Sequence, residues 1–307
     1  MKSTRPRFRR AVVTGGAGSV GSHVCTHLRR SGIAVVSVDN RATDCPGNLA
    51  HLADDAGFMS MQHELTGPLE IRGPVDLVLH LASPAPRQNE ATPRGGVGGV
   101  GGGRAADARA TLEGPEGTRS TLALAVEKGA RFVIATPATQ ASEAELQGGE
   151  AATTAFQHAY GLGVAIARVF DTYGPRPGPG DRGTVSTLLR QALSGEPVVI
   201  TGDGSQPWSA CHADDIARGL LALAASGESG PVDLGHPDTP SLGELARHVV
   251  ATSRSRSPIV FDAQTASASC YPDAEATREL LGWYPRISWP EGLRLTIARM
   301  RTALRPA

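Results

Sequence analysis

The sequence predicts a doubly wound α/β fold, a parallel sheet with helices on both faces, carrying a smaller C-terminal region for substrate. Three observations predict it. Short β-branched runs alternate with helix-length segments through the first half of the 307 residues. A glycine turn separates the first such run from the first helix. A carboxylate then ends the second run at the spacing where a nucleotide ribose is gripped.

The elements follow in order. Ala11-Val-Val-Thr14 reads as a buried strand, and the helix after its glycine turn runs through His23 to Arg30. Ala34–Asp39 is a second strand, Val75–His80 the next to be read, Arg131–Ala135 another, and Val164–Arg168 the last of the first half. From Arg94 to Arg104 there are seven glycines and no large side chain beyond Val97 and Val100. That stretch has too little apolar surface to offset ordering, so it reads either as a disordered insertion or as a lid over the site. The second half offers a Pro/Gly-rich loop from Tyr173 to Gly183 and helices from Val185 to Ser194 and from Asp214 to Ala225. Asp214 and Asp215 read as the N-cap and first-turn charge of the latter helix. The resulting division places a dinucleotide-binding core in residues 1–170, with 206–235 returning to it. Residues 171–205 and 236–307 form the substrate-binding region, and 94–104 the lid-like loop.

Composition bounds the partners. Thirty Lys+Arg balance thirty Asp+Glu, which excludes a generally basic nucleic-acid surface. Apolar runs reach about half of the ~20 residues that a membrane span needs, and no charged-then-apolar leader opens the chain, so a cytoplasmic protein without membrane attachment is expected. The four cysteines lack Cys-x-x-Cys spacing, and the nine histidines lack metal-ligand spacing in a suitable context, so no metal is expected. His23 and His27 stand at i, i+4 but on a helix expected to pack on the sheet.

In Thr14-Gly-Gly-Ala-Gly-Ser-Val-Gly-Ser22, Gly15 allows a tight turn, Gly18 lets backbone approach a pyrophosphate, and Gly21 permits close helix packing. Ser19 and Val20 then open a helix whose free N–H groups and positive dipole end suit phosphates. Asp39 favours a free ribose 2′-hydroxyl, whereas Arg41, beyond Asn40, can pair with a 2′-phosphate, so either NADH or NADPH is expected.

With TGGAGSVGSH at Thr14, VDN at Val38, HELTGP at His63, HLASPA at His80, RVFDTYGPR at Arg168, GDGSQ at Gly202 and ELLGWYP at Glu279, the chain resembles the extended short-chain dehydrogenase/reductase family over nearly its whole length. The likeness is strongest to the nucleotide-sugar branch, with its UDP-glucuronate decarboxylases and epimerases. It implies a Rossmann-type fold, adenine beside Glu64 and Leu65, and cofactor along Leu81, Ala82 and Ser83. Thr136 should also face the cofactor, with the residues after Arg168 near the nicotinamide. A homodimer enters by analogy only.

The family's chemistry rests on a Tyr-x-x-x-Lys pair, whose lysine lowers the tyrosine pKa, with a Ser or Thr at the preceding strand end. Here that hydroxyl position is Ala138, and residues 140–154 contain neither tyrosine nor lysine. The only lysines are Lys2 and Lys128, and Tyr160 is followed four residues on by Val164. Ser83, Thr136 and Thr139 are left with minor roles at most, since a hydroxyl is a weak acid unaided. The arginines that clamp a diphosphate in the family are matched by Trp208 and Tyr271, and its asparagine by Asp171. An aromatic ring in place of a guanidinium shifts the ligand class from anion to flat apolar surface, unless both rings merely fill core. Gly98 and Val100 of the lid-like loop complete the expected substrate contacts.

This pattern resembles the unusual reductases that tailor aromatic polyketides. It implies reduction of an aromatic, angucyclinone-like ketone in antibiotic biosynthesis, with hydride from NAD(P)H and a proton supplied by the substrate. Two other readings stand: a cofactor-binding sensor or scaffold without turnover, and a nucleotide-sugar epimerase, dehydratase or decarboxylase.

Overall fold

A computed structural model of the chain describes residues 8–40, 46–81, 107–138, 143–177, 183–262 and 271–303. The elements in chain order are β1 (Arg10–Thr14), α1 (Ser19–Arg30), β2 (Ala34–Asp39), α2 (Pro46–Leu49), a 3-10 turn (Ala50–Leu52), β3 (Phe58–Gln62), β4 (Leu77–His80), α3 (Asp107–Lys128), β5 (Arg131–Pro137), α4 (Glu143–Tyr160) and β6 (Val164–Val169). They continue as β7 (Asp171–Tyr173), α5 (Thr184–Ser194), β8 (Val198–Thr201), β9 (Ala210–His212), α6 (Ala213–Ala225), β10 (Pro231–Leu234), α7 (Leu242–Ser253), β11 (Ile259–Asp262), α8 (Ala274–Leu281) and α9 (Trp289–Ala303).

Among the described residues seven strands form one sheet in the order β10-β6-β5-β4-β1-β2-β3, and every pairing in it is parallel. A parallel sheet is buried on both faces, which is why β1 and β2 are buried residue after residue without alternation. Successive residues of β1 serve opposite faces. Ala11 and Val13 pack toward α1 and α6 with Val24, Leu28, Ile216 and Leu220. Val12 packs toward α3 and α4 with Leu122, Ala125 and Phe156. A third core joins α5, α7 and α9 over β8 through Leu188, Ile200, Leu245 and Leu293. Two small parallel pairs, β8 with β11 and β7 with β9, flank it.

The strand order reverses between β1 and β4. From β1 the chain builds outward through β2 and β3, then crosses back to lay β4, β5 and β6 on the other side. Ligands of such sheets bind outside the carboxyl ends of the strands at that reversal. The expected helix from Asp214 starts one residue earlier, and its cap is not Asp214. His212 occupies the N-cap position and its Nδ1 accepts the Asp214 N–H at 3.2 Å. Both aspartates lie inside the first turn.

Candidate functional site

At the reversal, Gly15 adopts φ +69°, a left-handed conformation that a side chain would strain. Its N–H donates to Val38 O at 2.8 Å, and its carbonyl accepts the Gly18 N–H at 3.1 Å. A Cβ on Gly21 would lie 2.1 Å from Gly15 O and 2.7 Å from Gly16 Cα, so only glycine lets α1 pack this close to the turn. Helix α1 opens at Ser19 with no side-chain cap and no acidic residue in its first turn. The uncapped N–H groups at Ser19, Val20 and Gly21 fit a pyrophosphate. Asp39 ends β2 beside this turn and accepts the Ala17 N–H on Oδ2 at 3.2 Å, which fixes the carboxylate. Asn40 follows, exposed. These residues fit a dinucleotide.

The neighbouring strand ends carry the other expected contacts. Glu64 is exposed and Leu65 half-buried just beyond β3, where Leu65 lies against Gly117 of α3. The Leu81 N–H donates to Thr14 O at 3.1 Å, holding the exit of β4 against β1. His80 reinforces that junction: Nδ1 bonds Thr14 Oγ1 at 2.8 Å and Nε2 bonds Thr118 Oγ1 at 3.1 Å. Full burial pushes its pKa down to about 4, so the ring is neutral, donor on one side and acceptor on the other. Arg41, Ala82, Ser83, Gly98, Val100 and Thr139, with the whole 94–104 loop, lie outside the described residues.

Beyond β5 the Ala138 N–H donates to Val169 O at 2.9 Å, and its methyl offers no proton. Tyr160 is the last residue of α4 and is 62% exposed. Lys128 ends α3 and pairs with Glu127 at 2.7 Å, just before β5 begins and so at the opposite ends of the strands. Sequence reasoning misses Glu150. Its carboxylate, on α4, accepts from Arg168 Nε and Nη2, both at 3.0 Å, and from Thr136 Oγ1 at 3.2 Å. The signal in the chain is a glutamate flanked by small residues, Gly148-Gly149-Glu150-Ala151-Ala152, in a stretch where the family resemblance points only to a missing tyrosine and lysine.

The C-terminal side departs from expectation. Trp208 is 5% exposed and wedged against Tyr173 with ring centroids 5.5 Å apart, so it packs as core rather than as an open aromatic wall. Its edge borders a cavity of about 20 Å³ together with Asp171, Tyr173, Thr184 and Ser186, room for one water. Asp171 opens β7 and accepts from Thr184 Oγ1 at 3.5 Å. Tyr271 is 55% exposed. An open cleft of about 780 Å³ between Pro237, Arg247, His248 and Trp289 contains none of the expected site residues.

His23 and His27 both grip Asp214 Oδ1, at 3.3 and 2.8 Å. Those bonds hold the Asp214 carboxyl far below the usual carboxylate range and tie α1 to α6. Among the described residues no cluster of His, Cys, Asp or Glu is arranged to hold a metal, and no helix is long and apolar enough to cross a membrane.

The sequence matches the NAD dependent epimerase/dehydratase family over residues 11–95 and 146–235. UDP-glucuronic acid decarboxylase 1 of Xenopus tropicalis is 32% identical over 96% of this chain and 73% of its own length. UDP-glucuronic acid decarboxylase 2 of Arabidopsis thaliana is 31% identical over 95% of this chain and 68% of its own. The solved UDP-glucose 4-epimerase of Thermotoga maritima superposes with a TM-score of 0.79 at 22% identity, over 96% of this chain and all of that one. UDP-glucuronic acid 4-epimerase of Bacillus cereus, solved with UDP-glucuronic acid and NAD, gives 0.80 at 21% identity over 96% and 99% of the two chains. At such identities the two structures speak to the fold alone.

Proposed function

This chain belongs to the NAD dependent epimerase/dehydratase family, an extended short-chain dehydrogenase/reductase, and from that premise we propose an NAD(P)H-dependent ketoreductase for aromatic ketones. One observation carries the reading: among the described residues, the strand ends beside the dinucleotide turn hold no tyrosine–lysine pair to take a proton from a sugar hydroxyl, and the carboxylate there, Glu150, is held by Arg168 and Thr136 and belongs to a class of base far weaker than a tyrosinate. Ala138 has no hydroxyl, Tyr160 is exposed at the far end of its helix, and Lys128 lies at the opposite ends of the strands. The relatives act on UDP-glucuronic acid by name, and oxidising a sugar hydroxyl needs a strong base. Reducing a ketone asks for less.

When bound, the reduced nicotinamide supplies the hydride. The turn from Gly15 to Gly21 and Asp39 hold the adenosine half, and His80 keeps the exits of β1 and β4 together so that the nicotinamide half meets fixed backbone. The alkoxide then takes its proton from a phenol ortho or peri to the ketone, on the substrate itself. That requirement selects a hydroxylated polycyclic ketone such as an angucyclinone-like polyketide, and Trp208 and Tyr271 in place of the family's arginines remove the clamp for a diphosphate.

A second reading, a dinucleotide-binding scaffold without turnover, is favoured by one observation, the confinement of the space beside Asp171 and Trp208 to about 20 Å³. The test is a panel of hydroxylated aromatic ketones mixed with NADPH or NADH, following the absorbance of the reduced cofactor. Turnover with a phenolic ketone but not with its O-methylated analogue supports the proposal. Tight NADPH binding with no turnover across the panel transfers the weight to the scaffold reading.

A further inference from the structure

The Glu150 cluster sits where the fold would place the nicotinamide half of a dinucleotide, and a ligand-binding role for it rests on the groove being a dinucleotide site. Thr136 and Arg168 are register partners at the ends of parallel β5 and β6. Helix α4 brings Gly149 and Glu150 over them, close enough that a Cβ on Gly149 would touch Thr136 Cγ2 at 4.0 Å. Asp39 stands on the β2 side of the reversal, so the β5 and β6 ends belong to the opposite half of the same ligand groove.

The hydrogen-bond count decides what this cluster can do. A carboxylate offers about four lone-pair sites and no proton. Arg168 takes two of them and Thr136 a third. Thr136 has one hydroxyl proton, and its acceptors are Glu150 and, at 3.4 Å, Ala167 O. Both groups are therefore left able only to accept from a ligand. The Glu150 and Arg168 side chains keep 16% and 43% exposure, so the pair is not sealed inside the core. Pinning α4 alone would be served as well by apolar contact, without the cost of desolvating two charges.

We propose that Glu150 is a dinucleotide-binding residue, its remaining lone pair accepting a hydroxyl of the nicotinamide-side ribose while Arg168 and Thr136 hold the carboxylate in position. The cluster binds and orients. As a carboxylate it has no proton to give, so it leaves proton delivery to the substrate.

The test compares affinities of wild type, Glu150→Ala and Glu150→Gln by calorimetry. The probes are NADH or NADPH, whichever wild type binds more tightly, and the adenosine-side fragment alone, ADP or 2′-phospho-ADP to match. Loss of a charged hydrogen bond should weaken the dinucleotide on the order of tenfold or more in Glu150→Ala. The fragment should be unaffected, and Glu150→Gln, which keeps one acceptor oxygen, should fall between. The ratio of the two affinities does not depend on the fraction of protein folded. An unchanged ratio in Glu150→Ala, whether through no loss or equal loss for both probes, overturns the proposal and leaves an ion pair that only fastens α4. If wild type binds neither probe, the dinucleotide reading falls with it.

Discussion

Lowering the pH from 7 to 5 should unfasten two histidines that the fold holds neutral. His80 lies buried between Thr14 and Thr118, and His212 caps α6 by accepting the Asp214 N–H on Nδ1. Burial lowers both from 6.5 to about 4; at His212 the neighbouring His23 ring and the Arg218 guanidinium add to the effect and the Asp214 carboxylate opposes it. Between those values the unfolded chain takes up protons that the native state refuses, so stability is fully present above about 6.5 and is lost as pH falls toward 4. Each pH unit in that window costs about 1.4 kcal/mol per histidine. At pH 5 each has lost about 2 kcal/mol, about 4 kcal/mol together. Unfolding entropy near 2.1 cal/mol/K per residue over 307 residues converts this to a fall of about 6 °C in melting temperature. His23 and His236 are shifted the same way and deepen the fall.

The assay is thermal unfolding followed by circular dichroism at half-unit steps of pH. The diagnostic variant is His212→Asn, which keeps an oxygen able to cap α6 but cannot take a proton. It should lose roughly half of the acid-induced shift while melting near the wild-type value at pH 7. A melting temperature that does not move between pH 7 and 5, or a His212→Asn protein with the full wild-type shift, would refute the reasoning.

Two further outcomes test the site itself. Gly21→Ala places a Cβ 2.1 Å from a backbone oxygen that cannot move without opening the Gly15 turn. Binding of NADH or NADPH, read by nicotinamide fluorescence, should weaken on the order of tenfold to a hundredfold, and unchanged binding would separate the turn from the cofactor. Trp208→Arg places a charge in a position that is 5% exposed and packed on Tyr173, so the variant should melt far below wild type or fail to fold. A soluble variant with wild-type melting would show that the ring faces an open cleft after all.

The strands nearest the reversal are legible in the sequence because each is a short, mostly apolar run buried on both faces. The second strand reads as Ala34–Asp39 in the sequence and spans Ala34–Asp39 in the structure. Strand β3 escapes because Phe-Met-Ser-Met-Gln at the sheet edge, with Met59 47% exposed, carries neither a continuous apolar run nor β-branched residues. Strand β10 escapes because it begins at Pro231 and exists only by pairing with β6, more than sixty residues earlier. The sequence points to Asp214 as the α6 cap because aspartate is among the preferred N-cap residues. A histidine that caps must stay unprotonated, a condition burial creates and sequence does not display.

The same distinction separates the two halves of the ligand groove. The half proposed for adenosine consists mostly of backbone, a left-handed glycine and an uncapped helix start, with one carboxylate, Asp39, one strand over. Each is set by residues within about one β-α-β unit, so a local motif can specify it. The opposite half is built from side chains that meet only through the sheet. Thr136, Glu150 and Arg168 come from β5, α4 and β6, and their convergence depends on a parallel register that pairs Thr136 with Arg168. A tyrosine and a lysine four residues apart would mark such a site along one helix, but here the residue type has changed and the contact is not encoded by spacing. Trp208 fails in the reverse sense. Its position in the chain matches a ligand-facing arginine, but an indole has no charge to keep it at the surface, and the packing of Tyr173, Val185 and Leu188 draws it inward. Substituting a guanidinium by an aromatic ring therefore changes where the side chain points as well as what it can bind.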